Sequence, residues 1–143
     1  MYTGRYYHKL DVKNRFSLPA EFRKMLGKKI TVTKGLDGCL FVFDEREWGK
    51  KLDEVARLEF TKKAHRDFVR LLTNDAESIE LDAHGRVLIS SHLKEQAKLQ
   101  RDLVIVGSLD RVEVWDQSAY HKYLADIEEN AEKIAEGIQV EKI

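Results

Sequence analysis

The runs Leu10-Asp11-Val12-Lys13-Asn14-Arg15 and Leu81-Asp82-Ala83-His84-Gly85-Arg86 place Leu, Asp and Arg at matching positions 71 residues apart. No other feature constrains the fold as much, because similarity at a fixed offset marks a chain built from repeated units. The match continues past the motif. Phe16-Ser17-Leu18-Pro19 answers Val87-Leu88-Ile89-Ser90, and Phe22-Arg23 answers Leu93-Lys94. With small gaps, Ile30-Thr31-Val32-Thr33 matches Leu103-Val104-Ile105-Val106, Leu36-Asp37 matches Leu109-Asp110, and Val42-Phe43-Asp44 matches Val114-Trp115-Asp116. Trp48 and Leu52 answer Tyr120 and Leu124. An ordered series of this kind is a tandem duplication, and Asn14 standing for Gly85 fits it, since both residue types tolerate the left-handed backbone of tight turns.

A chain of 143 residues made of two such units has little apolar material per unit. Half-domains of that size bury too little core to stand alone, so the units are expected to share a core or lean on neighbouring chains, and oligomerisation is expected. The pattern predicts strands over 6–10, 15–18, 29–33 and 39–43, with counterparts over 78–81, 86–89, 103–106 and 112–115. Each unit thus reads as a β-hairpin, a short helix and two more strands, the first short helix being opened by Pro19, the only proline, where a missing N–H costs nothing. A longer helix follows each unit, with Asp44 and Glu47 as a capping pair and Asp116 in the matching place. Trp48, Leu52 and Val55 make one apolar stripe. A further helix from about Lys62 should turn Ala64, Phe68, Leu71 and Leu72 inward, and Tyr120, Tyr123, Leu124, Ile127, Ala131 and Ile134 carry the helical period into an acidic, frayed terminus. The expected organisation is a first repeat over 1–56, a helical connector over 57–75, a second repeat over 76–127 and an acidic helical tail over 128–143.

The balance of 25 basic and 25 acidic residues gives a net charge of zero and argues against indiscriminate polyanion binding. The sum conceals an asymmetry: residues 1–36 hold nine Lys or Arg against Asp11 and Glu21, a balance of +7, whereas residues 110–143 hold four basic and nine acidic residues, a balance of −5. A neutral molecule can therefore carry a basic face opposite acidic helices. No run of about 18 apolar residues is available to span a bilayer and the start has no apolar signal segment, so a cytoplasmic protein not associated with a membrane is expected. Cys39, the single cysteine, lies in an apolar run and reads as a buried structural thiol.

Enzyme chemistry finds no foothold. The five histidines, His8, His65, His84, His92 and His121, show no metal-ligand spacing, and no nucleophile elbow, phosphate-binding glycine loop or dinucleotide fingerprint is present. No catalytic residue, metal, cofactor or small-molecule substrate is expected. A binding function has more support. The repeated loop offers Lys13, Asn14 and Arg15 in one copy and His84 and Arg86 in the other, and a guanidinium matches phosphate oxygens or guanine bidentately. Two loops per chain, multiplied in an oligomer, would raise avidity for several short DNA sites. The alternative is an oligomeric protein-binding scaffold of the same fold with incidental DNA contact, supported by the zero net charge.

The residues Gly4-Arg5-Tyr6-Tyr7-His8-Lys9-Leu10-Asp11 leading into Asn14-Arg15, then Leu18-Pro19-Ala20-Glu21-Phe22-Arg23, Gly35-Leu36-Asp37-Gly38-Cys39-Leu40, Leu81-Asp82 with Gly85-Arg86, and Val106-Gly107 before Glu113-Val114-Trp115-Asp116 give the chain a resemblance over nearly its whole length. It resembles the MraZ family of bacterial transcription regulators. The resemblance implies an α+β fold of two tandem swapped-hairpin AbrB/SpoVT-like β-barrel repeats, pseudo-twofold, with helices packed alongside. It also implies a sequence-specific regulator, usually a repressor, that binds short direct repeats in the promoter of the cell-division and cell-wall gene cluster as a ring-like homo-oligomer. Carried over onto matching positions, it gives Arg15 and Arg86 the leading contacts with double-stranded DNA, beside Lys13, Asn14 and His84. Asp11 and Asp82 brace the loops, as does Gly85, because a bare carboxylate would be repelled by phosphate. Asn14 stands where the family pattern has Gly, and Ser90 replaces the proline of repeat one with a hydroxyl acceptable at a helix start. The basic bias of repeat one makes 13–15 the expected dominant loop.

Overall fold

Alternating and continuous apolar runs set eight strands, each within one residue of its expected ends. In the computed structural model, which describes residues 1–138, the order is β1 (Arg5–Lys9), β2 (Arg15–Ser17), α1 (Ala20–Leu26), β3 (Lys29–Lys34), β4 (Leu40–Asp44), α2 (Glu45–Ala56), α3 (Lys63–Thr73), β5 (Glu77–Glu80), β6 (Arg86–Leu88), α4 (Ser91–Gln96), β7 (Asp102–Gly107), β8 (Val112–Asp116), α5 (Gln117–Glu129) and α6 (Ala131–Glu136). The last five residues of the expected acidic tail lie outside the described residues. Among the described residues no helix is long and apolar enough to cross a membrane.

Helix starts follow local chemistry. Asp44 accepts from the Glu47 N–H at the head of α2, Asp116 from the Ala119 N–H at α5, and Ser90 from the Leu93 N–H at α4, each satisfying a donor that the first helical turn leaves open. Pro19 sits one position ahead of α1, at its N-cap, with no side-chain bond. The C-terminal helix is broken where one period was expected. Asn130 separates α5 from α6, its side-chain amide donating to the Asp126 carbonyl at 2.9 Å.

The pairing departs from the hairpin expected within each unit. β1 runs antiparallel to β7, and β5 to β3, so each unit's first strand joins the other unit's third. β2 pairs only with β6. The strands form an open six-stranded sheet in the order β1-β7-β8-β4-β3-β5 and a separate two-stranded ribbon, β2-β6. At the strand ends Lys9 faces Asp102 and Lys29 faces Glu80, opposite charges at equivalent places with their signs exchanged, a favourable cross-strand arrangement. A pseudo-twofold axis relates the halves. It passes between Phe16 and Val87 in the ribbon and between Phe41 and Glu113 where β4 meets β8.

The halves share one core. Phe16, Leu18, Phe22, Leu26, Ile30 and Val42 of the first unit pack with Val87, Ile89, Leu93, Leu103, Ile105 and Val114 of the second. On the opposite sheet face Cys39, Phe43, Val104 and Trp115 are buried under Trp48 of α2 and Tyr120 of α5. There Glu113 replaces the apolar Phe41 of its counterpart strand. It accepts from Trp115 Nε1 at 3.1 Å and from Arg111 Nη2 at 2.9 Å, while Arg111 stacks 4.4 Å above the Phe41 ring. Burial raises the Cys39 thiol well above its usual range. The stripe expected to face inward on α3 does so only at Leu72. Phe68 is 37% and Leu71 52% exposed, and Ala64 is exposed as well, because α3 touches the sheet only near its C-terminal end, where Thr33 Oγ1 donates to the Leu72 carbonyl at 2.7 Å.

One alignment detail changes. Leu36 and Leu109 match by identity, but the β3–β4 turn has two left-handed residues, Asp37 (φ 65°) and Gly38 (φ 90°), against Leu109 (φ 68°) in the β7–β8 turn. The first turn holds one residue more, so the two repeats fall out of register by one residue within it.

Candidate nucleic-acid interface

Each repeat turns from its first strand into its second through an Asp-x-x-x-Arg loop. In the first loop the Asp11 carboxylate accepts from the backbone N–H groups of Lys13 at 2.8 Å and Arg15 at 2.9 Å, and from Arg15 Nε at 2.9 Å. In the second, Asp82 accepts from the N–H groups of His84 and Arg86, both at 2.9 Å, and from Arg86 Nε at 2.7 Å. The main chain repeats too, Asn14 N–H donating to the Asp11 carbonyl and Gly85 N–H to that of Asp82, each at 3.0 Å. Asn14 (φ 60°) and Gly85 (φ 71°) are both left-handed.

One carboxylate thus carries three donors, a charge-assisted arrangement that favours its ionised form. The Arg15 backbone N–H, joined by its side chain and by the Lys13 N–H, holds Asp11 below its ordinary value. The same set from Arg86 and His84 brings Asp82 down to about 2. The bond also orients the guanidinium. Nε is committed to the carboxylate in each loop, and both Arg side chains remain about 30% exposed, 28% for Arg15 and 31% for Arg86.

The ribbon locks the two loops to one another. The Ile89 N–H donates to the Asn14 carbonyl at 3.1 Å and the Leu18 N–H to the Gly85 carbonyl at 3.4 Å. Phe16 and Val87 face one another into the core, so period-two alternation sends Arg15, Ser17, Arg86 and Leu88 to the outer face. The structure therefore brings Lys13, Asn14, Arg15, His84 and Arg86 onto one short module, with Asp11, Asp82 and Gly85 inside its turns.

Residues not nominated from sequence complete the surroundings. Arg23 of α1 lies across the second loop: a Cβ on Gly85 would meet its Nη1 at 2.3 Å and its Cδ at 2.6 Å, and its buried Nε has no hydrogen-bond partner. The contact from Nη1 to the His84 carbonyl, at 3.5 Å, is too long to carry much energy. Lys94 of α4, the counterpart of Arg23, lines the surface beside Asp11, Val12 and Asn14 together with Lys98 and Arg101. Each loop is thus flanked by cations of the other repeat. The crossing of α1 and α4 thus places Arg23 beside the second loop and Lys94, Lys98 and Arg101 beside the first. Only the equivalence Arg23 to Lys94 in the repeat could have signalled this. Among the described residues no group of three His, Cys, Asp or Glu side chains could hold a metal ion.

The geometry can do one thing well. A two-stranded β-ribbon fits the DNA major groove, about 12 Å wide, and this one offers two pre-oriented guanidinium groups on its outer face.

Comparison with known proteins points the same way. A family model described as "MraZ protein, putative antitoxin-like" matches residues 1–71 and again 72–140. The chain is 46% identical over 136 residues to a protein of Carboxydothermus hydrogenoformans named "Transcriptional regulator MraZ", covering 95% of each chain. Proteins of the same name from Acetivibrio thermocellus and Desulforamulus reducens are 43% and 41% identical, the first over 95% of both chains, the second over 96% of this chain and 97% of its own.

Proposed function

As this chain belongs to the MraZ family, whose named relatives are transcriptional regulators and not enzymes, we propose that it is a sequence-specific regulator that binds double-stranded promoter DNA. One observation carries the reading: two Asp-held Arg loops of the same geometry, fixed to each other by the β2-β6 ribbon. In this proposal Arg15 and Arg86 make the leading contacts, with phosphate or bidentate to guanine. Lys13, Asn14 and His84 assist from the loop tips, and Asp11, Asp82 and Gly85 hold the loops in shape. The exchange of β1 and β5 between halves supports a reading of the repeats as swapped hairpins of the AbrB/SpoVT type.

The finer role follows from the family resemblance. We assign the chain as a repressor of the cell-division and cell-wall gene cluster that recognises short direct promoter repeats in the cytoplasm, at the nucleoid. Assembly into a ring-like homo-oligomer would align several loop pairs along one promoter. The exposed apolar side chains between α2 and α3, with Phe60 82% exposed, supply surface for such assembly. They equally favour a second reading, an oligomeric protein-binding scaffold with incidental DNA contact.

Binding of the chain to a labelled fragment of its own upstream DNA, against an unrelated duplex over a salt series, separates the two. Preferential binding is expected, with the logarithm of affinity falling linearly with that of salt by about 0.9 per phosphate neutralised. Arg15→Ala is expected to weaken specific binding about 5- to 150-fold, the worth of one good bidentate contact, with the oligomer still folded. Equal weak binding to both duplexes, or an Arg15→Ala variant indistinguishable from wild type, overturns the loop assignment and favours the scaffold.

A further inference from the structure

We propose that Leu88 reads DNA sequence by packing on the C5 methyl group of a thymine next to the base engaged by Arg15. The inference rests on the regulator reading above and adds a specificity-determining residue to it. In the ribbon, Arg15 faces Leu88 and Ser17 faces Arg86, and alternation puts all four on the outer face, away from Phe16 and Val87. Leu88 is 59% exposed there, while its neighbours Val87 and Ile89 are buried. Its side chain contributes little to the core and stands on the face that carries both guanidinium groups.

The pseudo-twofold symmetry isolates the position. Arg15 corresponds to Arg86, Phe16 to Val87 and Ser17 to Leu88, so the 17/88 pair is the one place in the ribbon where polar and apolar character differ. The loop next to Leu88 adds Val12, 100% exposed at its tip, where the other loop has the smaller Ala83. One end of the module is therefore apolar between its cations and the other end is polar. A two-fold backbone can follow the two-fold phosphate backbones of a duplex, but only an asymmetric outer face can prefer an asymmetric base sequence. In the major groove the apolar feature that distinguishes one base from the rest is the thymine methyl.

The test replaces thymidines in the bound segment of the upstream fragment, one at a time, by deoxyuridine, which removes the C5 methyl and keeps the hydrogen-bonding edge. For the full-length protein at fixed salt, about fourfold weaker binding is expected at one position, the worth of one buried methyl group. Leu88→Ser, which copies Ser17 onto the equivalent site, is expected to bind the thymidine and deoxyuridine duplexes equally while keeping the wild-type melting temperature. Preference for the unmodified fragment over an unrelated duplex with no effect of any deoxyuridine overturns the methyl contact alone, as does a Leu88→Ser variant that still discriminates. Absence of that preference overturns the regulator reading and this inference with it.

Discussion

Gly85 turns the chain at φ 71°, and the space where a Cβ would stand is filled by Arg23. Gly85→Ala therefore meets both a left-handed backbone, which costs about 1–2 kcal/mol for a residue with a Cβ, and a clash that displaces Arg23; a loss of at least that size is expected in denaturant unfolding, with weaker DNA binding. Asn14, at φ 60°, shows that the first loop accepts a side chain in the same conformation, which the exchange of Asn for Gly in the repeated phrase made legible. Asp82 sets a pH window. Its folded value, about 2, lies below the ordinary 3.8, so it holds the loop fully above pH 3.8 and loses that hold as pH falls through 2. The Arg86 amide resonance is expected to shift with a midpoint near pH 2, well below the ordinary 3.8. The role of Arg23 was not legible, because its partner loop lies 61 residues away along the chain and no local pattern records such a crossing.

Among the elements, capping was the most readable feature, since a cap involves residues only three apart. Asp44 also accepts from the Tyr2 hydroxyl at 2.7 Å with its second oxygen, a contact spanning 42 residues that raises the Tyr2 hydroxyl above its usual range, after burial as the larger cause. Asp44→Ala removes both bonds, and a loss of about 1–3 kcal/mol is expected from thermal unfolding, the sum of a cap and one buried hydrogen bond. Helix α3 shows the opposite case. Its apolar residues recur at helical spacing, but periodicity states only that one face is apolar and says nothing of what covers it. With the sheet face already occupied over most of its length, Phe68 and Leu71 remain on the surface of the single chain. The Asp-x-x-x-Arg turns and their flanking strands were likewise visible, whereas the parting of β1 from β2 was not, because both a local hairpin and an exchanged one satisfy the same alternation.

For the whole molecule the exchange of first strands makes the two halves interdependent. β1 has its partner in β7 and β5 in β3, and the main core draws on both halves. A fragment of residues 1–56 leaves β1 and β2 without partners, so it is expected to be unfolded or to self-associate, with little two-state unfolding by circular dichroism, while mixing it with a fragment of residues 57–143 is expected to restore strand signal. The duplication, the eight strands, the capped helices and the shape of the Asp-x-x-x-Arg loops were determined by the sequence itself, since each rests on side chains within a few positions or on a pattern written twice. Which strand pairs with which, the flanking of each loop by the other repeat's cation and the gathering of Arg15, Ser17, Arg86 and Leu88 on one face were decided only by the tertiary structure. Those features depend on which of several equally well-patterned apolar faces meet, and burial of apolar area, the dominant and non-directional driving force, selects among them only when the whole core closes.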